Sequence, residues 1–206
     1  MTLDGYIAGP NQSVENPLGE GGERLHDWLL KLKTFRAIHG DTSGGETGTN
    51  DDVLREAFEN VGATIMGRNM FGGGRGPWGK HPWKGWWGDK PPFHHPVFVL
   101  THFAREPLPM QGGTTFFFVT DGIDSALEQA RQVANGKDMA LGGGANVAQQ
   151  YLTAGFIDEL EIHLVPLFLA SGVRLFDNFD CRKVKLEPMR TIAGPGVTHL
   201  KYRVLK

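Results

Sequence analysis

Four short apolar runs, separated by amphipathic stretches, constrain this chain more than any other feature. They are ATIM (Ala63 to Met66), PVFVLT (Pro96 to Thr101), TFFFV (Thr115 to Val119) and MAL (Met139 to Leu141). Helical spacing falls between and around them, at Leu25, Trp28, Leu29, Leu32 and Phe35, at Leu54, Ala57, Phe58 and Val61, and from Ile123 to Ala134. Short apolar strands alternating with amphipathic helices are the pattern of an α/β domain built on a mostly parallel sheet, with the helices covering its faces. Near the C-terminus the pattern becomes strict alternation. Leu160, Ile162 and Leu164 sit between Glu159, Glu161 and His163, and Leu200, Tyr202 and Val204 flank Lys201 and Arg203. That period predicts antiparallel strands closing one edge of the sheet.

A chain of 206 residues, 40% hydrophobic, builds one well-buried core and is short for two, so a single domain over 1–206 is expected. The net charge of -2 and the scatter of Lys and Arg leave no basic stripe, which argues against nucleic acid or an anionic membrane as partner and for a small molecule. MTLDGYIAG lacks a basic segment followed by an apolar one, and no run approaches the roughly 18 apolar residues of a membrane span. A cytoplasmic protein is the expectation, and the single Cys181, with no partner for a disulfide, fits a reducing compartment. Gly40 to Asp51 is too polar and glycine-rich to pack, and Pro77 to Pro96 holds four of the five tryptophans; both read as loops.

Between MAL and the next helical stretch the chain reads LGGGANVAQQYL. Glycine costs about 1 kcal/mol relative to alanine where the backbone is ordered, so three in a row need a reason. A strand ending at Leu141, then Gly142, Gly143 and Gly144, then a helix from about Ala145, presents backbone N–H groups and a positive helix end where no side chain blocks approach. A phosphate fits such a turn; so does tight strand-to-helix packing. The sequence is not a P-loop, since no Gly-Lys-Ser/Thr follows. In G-x-G-x-x-G register Val147 replaces the third glycine.

Five segments, TLDGYIAGP (2–10), TIMGRNMF (64–71), VFVLT (97–101), LGGGANVAQQYL (141–152) and DELEIHLVPLFLASGVRLFD (158–177), occur in an order seen in one family. In them the chain resembles the reductase domain of the bifunctional riboflavin-biosynthesis proteins, the C-terminal domain of RibD, which shares the dihydrofolate reductase fold. The resemblance covers nearly the whole chain and implies a three-layer αβα reductase that uses NADPH and is often a homodimer. By matching motif, it implies that Gly142, Gly143, Gly144, Ala145, Asn146 and Val147 cradle the pyrophosphate and face the nicotinamide half. Gly67, Arg68 and Asn69, with Met70, would bind the adenosine half, Arg68 reaching a phosphate. Thr101 and His102 would lie beside the adenosine ribose, with Arg105 a further phosphate ligand. Asp4 and Gly5 would belong to the loop over the nicotinamide, unless Asp4 is a turn residue bonding its own backbone. The reduced substrate would be a 5-amino-6-(ribosylamino)uracil-type intermediate, with a dihydropterin, or cofactor binding without chemistry, as alternatives.

The chain departs from that family in three places. Only Met1 and Thr2 precede Leu3 where an apolar strand is usual, Ala170-Ser171-Gly172 stands at a usually glycine-rich turn, and Gly9 to Asp52 is a long insertion. A proton donor is expected on the helix opened by GGERLHDWLL, where Glu23 and Asp27 are spaced i, i+4; Asp27 is the candidate, with water as the alternative. Trp78, Trp83 and Trp86, with Trp87, offer flat area for stacking a heterocycle, burying a subunit interface or pinning their own loop. His81, His94 and His95 share that loop without spaced acidic or thiolate partners, so no metal is expected. The deaminase zinc motif is absent, which leaves at most the reductase half of a bifunctional protein.

Overall fold

In the computed structural model, which describes residues 1–74, 76–79 and 83–206, the elements follow in the order β1 (Tyr6–Ala8), α1 (Lys33–Ile38), α2 (Thr49–Glu59), β2 (Val61–Gly67), α3 (Arg68–Phe71), β3 (Pro96–Leu100), β4 (Leu108–Pro109), β5 (Thr115–Val119), α4 (Ile123–Val133), β6 (Asp138–Gly143), α5 (Ala145–Thr153), β7 (Glu159–Leu164), β8 (Val173–Arg174), β9 (Lys185–Gly194) and β10 (Val197–Leu205). His81 lies outside the described residues. The chain forms two compact units, one of Met1–Phe35, Gly44–Leu54 and Ala145–Lys206, the other of Arg36–Ser43 and Arg55–Gly144. No described helix is long and apolar enough to cross a membrane.

The four apolar runs are the parallel strands of the second unit, in the order β4-β5-β3-β2-β6, with the two-residue β4 antiparallel at one edge. Strands buried on both faces need no alternation, and Ala63 to Gly67 are buried without a break. Helix α4 packs on β2 and β3 through Ala126 and Ala130, both fully buried, whose small side chains let it approach the sheet. Met66, Phe71, Val97, Val99 and Phe116 form the core, and Trp78, Trp83, Trp87 and Phe93 pack against it.

The alternating C-terminal segments are antiparallel, but β7, β10 and β9 form a sheet of their own in the first unit and do not extend the parallel sheet. In that unit β1 pairs antiparallel with β8, and Thr2 bridges in parallel to Val165.

The helix expected from Leu25 to Phe35 does not form. The chain makes one 3-10 turn at Gly22–Leu25, then open turns in which the His26 carbonyl accepts from both Leu29 and Leu30, and α1 begins only at Lys33. The cause lies in the loop expected to be unpacked. Glu46 donates its N–H to the Lys31 carbonyl and accepts from the Lys33 N–H, so these groups are lost to an i to i-4 ladder. The apolar spacing still records burial: Leu25 packs with Val165, Leu167 and Val197, and Leu32 is 3% exposed. Helix α2 likewise starts at Thr49, earlier than its apolar residues indicate, and stops at Glu59, so that Val61 opens a strand.

Candidate active site

Gly67, Leu100 and Gly143 close β2, β3 and β6 at one end of the parallel sheet. In register, Gly67 faces Leu100 and Met66 faces Gly143. From β2 the chain proceeds to β3 and β5 on one side and returns to β6 on the other, so the strand order reverses there. Crevices at the carboxyl ends of strands, at such a reversal, are where open α/β sheets take their ligands.

The three glycines differ from one another. The register between β2 and β6 shifts so that Gly142 and Gly143 span one step of β2, a bulge of the kind that re-aims a strand end. A Cβ on Gly142 would touch Thr64 and Ile65 at ordinary contact distances. Gly143 has φ +104, a conformation side chains disfavour, and the peptide to Gly144 is cis. At Gly143 and Gly144 an added Cβ would meet no described atom within 4 Å. Packing therefore does not exclude a side chain at Gly144; the backbone is simply bare. Ala145, Asn146 and Val147 follow as the first turn of α5, in the other unit, with Ala145 and Val147 buried and Asn146 donating no cap: its Oδ1 accepts from Gln150 Nε2 at 2.7 Å.

Beside β2 the structure brings two arginines together. Arg68 donates from Nε to the Gly72 carbonyl at 3.1 Å and from Nη2 to the Gly73 carbonyl at 3.3 Å, and its guanidinium carbon lies 3.1 Å from the Trp78 ring centroid. Arg105 donates from Nη1 to the Trp83 carbonyl at 2.5 Å and stands 4.8 Å from the same indole. Among the described residues neither pairs with a carboxylate, and Arg68 Nη1 is buried without a partner. Burial first, and then the charge of Arg105, pushes the Arg68 guanidinium down from its ordinary value; burial does the same to Arg105. Two partly desolvated cations side by side, one with an unused donor, favour an anion between or beside them. Asn69 and Met70 are exposed, and because α3 is a single turn its dipole adds little to this field. Thr101 is buried, its N–H on the Val119 carbonyl and its hydroxyl accepting from Phe103 N–H, and His102 is exposed just beyond.

The tryptophans anchor their own loop. Each indole N–H is engaged: Trp78 on the Phe103 carbonyl at 3.0 Å, Trp83 on Phe71 at 2.9 Å and Trp86 on Met70 at 3.1 Å. Trp87 stacks on Phe116 in the core. These bonds fasten the loop over α3, a role with no sequence signature because donors and carbonyls lie 12 to 25 positions apart.

Asp4 is tied down in the first unit. Its carboxylate accepts from Leu169 N–H and, at 2.8 Å, from Ala170 N–H. Burial would raise its pKa, but hydrogen bonds from Thr2, Ala170 and Leu169 together outweigh that and hold it below the usual carboxylate range. Asp27 is exposed on the turn after the 3-10 segment, so Glu23 and Asp27 share no helix face. A pair missed by the sequence reading is His163 and His199, opposite each other on β7 and β10, with Nδ1 atoms 2.8 Å apart. Trp28 lies against both rings, and His199 Nε2 is 3.0 Å from Asn50 Oδ1. With Asn50 Nδ2 donating to the Pro195 carbonyl, its oxygen accepts from His199, which makes His163 the Nδ1–H donor. Among the described residues no group of three or more His, Cys, Asp or Glu converges to hold a metal.

Residues 1–200 match the family described as the RibD C-terminal domain. The uncharacterised protein YyaP of Bacillus subtilis (strain 168) is 25% identical over 211 residues, 98% of this chain and 90% of its own. Among solved structures, a Shewanella sp. PV-4 protein provisionally named for riboflavin biosynthesis superposes with TM-score 0.63 at 22% identity, over 100% of this chain and 96% of its own. The Thermotoga maritima diaminohydroxyphosphoribosylaminopyrimidine deaminase/5-amino-6-(5-phosphoribosylamino)uracil reductase gives 0.56 at 14% identity, over 99% of this chain and 54% of that one. Enterococcus faecalis dihydrofolate reductase, complexed with NADP(H), gives 0.51 at 15% identity over 79% and 86%. These likenesses show the dihydrofolate reductase-like αβα fold with its mostly parallel sheet.

Proposed function

The chain belongs to the RibD C-terminal domain family, which supports a reductase-type role in riboflavin biosynthesis, and from that premise we propose that it is an NADPH-dependent reductase of a small heterocyclic substrate. The observation that carries this reading is that the carboxyl ends of the parallel strands carry both the bare backbone at Gly143 and Gly144 and an arginine pair that has no carboxylate partner among the described residues. When bound, the dihydronicotinamide supplies a hydride from its C4 to an electrophilic carbon. The chain's part is to position and neutralise: the glycine turn admits the pyrophosphate and nicotinamide half, and Arg68 and Arg105 meet phosphate oxygens with charge-assisted hydrogen bonds. Asp27 would protonate the product from its exposed turn, with water as the other source. The substrate we favour is a 5-amino-6-(ribosylamino)uracil-type compound, because the family's function lies in riboflavin synthesis. A homodimer is the working assembly, on the same resemblance.

NADPH oxidation followed by absorbance with the aminouracil and with dihydrofolate tests this reading. Turnover of the first alone supports it, and turnover of dihydrofolate alone moves the substrate class. Cofactor binding with no turnover of either would make the chain a non-catalytic binder. In the active case, Asp27→Asn should lower kcat with NADPH affinity near normal; an unaltered pH–rate profile would assign the proton to water.

A further inference from the structure

A cleft lies at the amino ends of the same parallel strands. It is bordered by Val61 at the start of β2, by Pro96 at the start of β3, by Gly113 ahead of β5 and by Lys137 ahead of β6. Its volume is about 470 Å³, within the range of small-molecule sites, roughly 300 to 1,000 Å³. All its lining residues belong to the second unit. Nothing assigned to NADPH or its substrate above borders it.

The lining has two characters. Ile38, Phe58, Phe93 and Val133 make an apolar wall, and Phe58 and Val133 are 44% and 37% exposed, more than buried packing would leave them. His94, His95 and Lys137 make a basic side, and no Asp or Glu is among the described residues that line the cleft. Two acids adjoin lining residues in sequence: Glu59, which is exposed, and Asp138, which accepts from Asn60 Nδ2 at 3.1 Å. His94 is held at φ 56, with its Nδ1 2.8 Å from the Gly112 carbonyl, so Nδ1 carries the proton. His95 is fixed by Nε2 at 2.7 Å from the buried Thr64 hydroxyl. The two rings are thus set in place by the backbone and the core.

We propose that this cleft binds a small organic anion with a flat apolar body, the anionic group on the Lys137 ammonium and the body against Phe58 and Val133. Charge complementarity selects the class: the Lys137 ammonium, with no Asp or Glu among the described lining residues, repels a cation and favours an anion over a neutral ligand of the same shape. Burial, and then the charges of His94 and Lys137, pushes His95 below its ordinary pKa, which favours the neutral ring and leaves Lys137 as the cation of the cleft. The site is independent of the reductase reading, and its test separates the two.

The probes are 1-anilinonaphthalene-8-sulfonate, which joins a flat apolar body to an anion, and N-phenyl-1-naphthylamine, nearly the same body without charge. Fluorescence titration of the full chain should give saturable sulfonate binding that persists at saturating NADPH. Lys137→Glu reverses an exposed charge at the rim and should weaken the sulfonate by about 10-fold or more while changing the neutral dye little. Val133→Asp, on the exposed end of α4, should weaken the sulfonate as well. Circular dichroism melts must match wild type for either variant to count. Absence of saturable binding, equal affinity in wild type and both variants, or displacement of the sulfonate by NADPH would overturn the proposal. If the chain binds no NADPH, the reductase reading fails while the two variants still decide this one.

Discussion

Gly144 and Gly143 separate two reasons for glycine that the sequence alone leaves together. Gly143 sits at φ +104, where valine would be strained by about 1 to 3 kcal/mol, so Gly143→Val should lose NADPH binding and some stability together. Gly144 has no such constraint, and its added Cβ would meet no described atom within 4 Å. Gly144→Ala should therefore leave the melting temperature nearly unchanged and, on the proposed cofactor reading, weaken NADPH by about tenfold or more in a fluorescence titration, because the methyl group would stand where the proposed pyrophosphate approaches. Unchanged affinity would mean that nothing approaches the turn. Arg68 combines two tasks as well. Removing it leaves the Gly72 and Gly73 carbonyls without that donor and ends the stacking on Trp78, which should destabilise by about 1 to 3 kcal/mol. In the folded variant, Arg68→Ala should weaken NADPH by on the order of 10- to 100-fold and NADH far less, since NADH lacks the ribose phosphate. Equal losses for both would place Arg68 on the shared pyrophosphate and leave selectivity to His102 and Arg105.

At the scale of elements, the His163–His199 pair couples β7 and β10 to acid. Burial first, and then the His199 charge, pushes His163 from its ordinary 6.5 down to about 4, and burial lowers His199 too. Between pH 6.5 and 4 the unfolded chain takes up a proton that the folded protein refuses, so stability falls as pH drops through that window and is full above it. Thermal melts should show this slope in wild type and a shallower one in His163→Gln; identical slopes would put the acid sensitivity elsewhere. The pair also marks what the sequence conceals. The parallel strands were legible, because runs such as TFFFV have one use in a strand buried on both faces. The start of α5 at Ala145 is legible because its signal is local, whereas β6 runs on to Gly143 and does not stop at Leu141, since Gly143 still pairs with Met66 across the bulge. The stretch from Leu25 to Phe35 was misread because its spacing reports burial, whereas the hydrogen bonds that prevent a helix come from Glu46. The early start of α2 was missed because Asn50 and Asp51 read as loop residues, yet both are buried: Asn50 on Pro195 and His199, Asp51 on the Thr34 N–H at 2.7 Å. His163 was read as an outward polar position because its partner lies 36 residues on.

For the whole molecule, the family match over residues 1–200 and the strand-end geometry carry different parts of the account. The family supports a reductase-type role; the glycine turn and the arginine pair are the proposed holders of the proposed cofactor. Hydride transfer joins the two. The most direct measurement is mass spectrometry of the product formed from the aminouracil substrate and NADPH deuterated at the transferring C4 position. The predicted product is heavier by one deuterium, forms in step with NADPH oxidation, and falls with it in Gly144→Ala at a cofactor concentration near the wild-type Kd. NADPH consumed without label reaching the product, or no consumption with any candidate substrate, would contradict it.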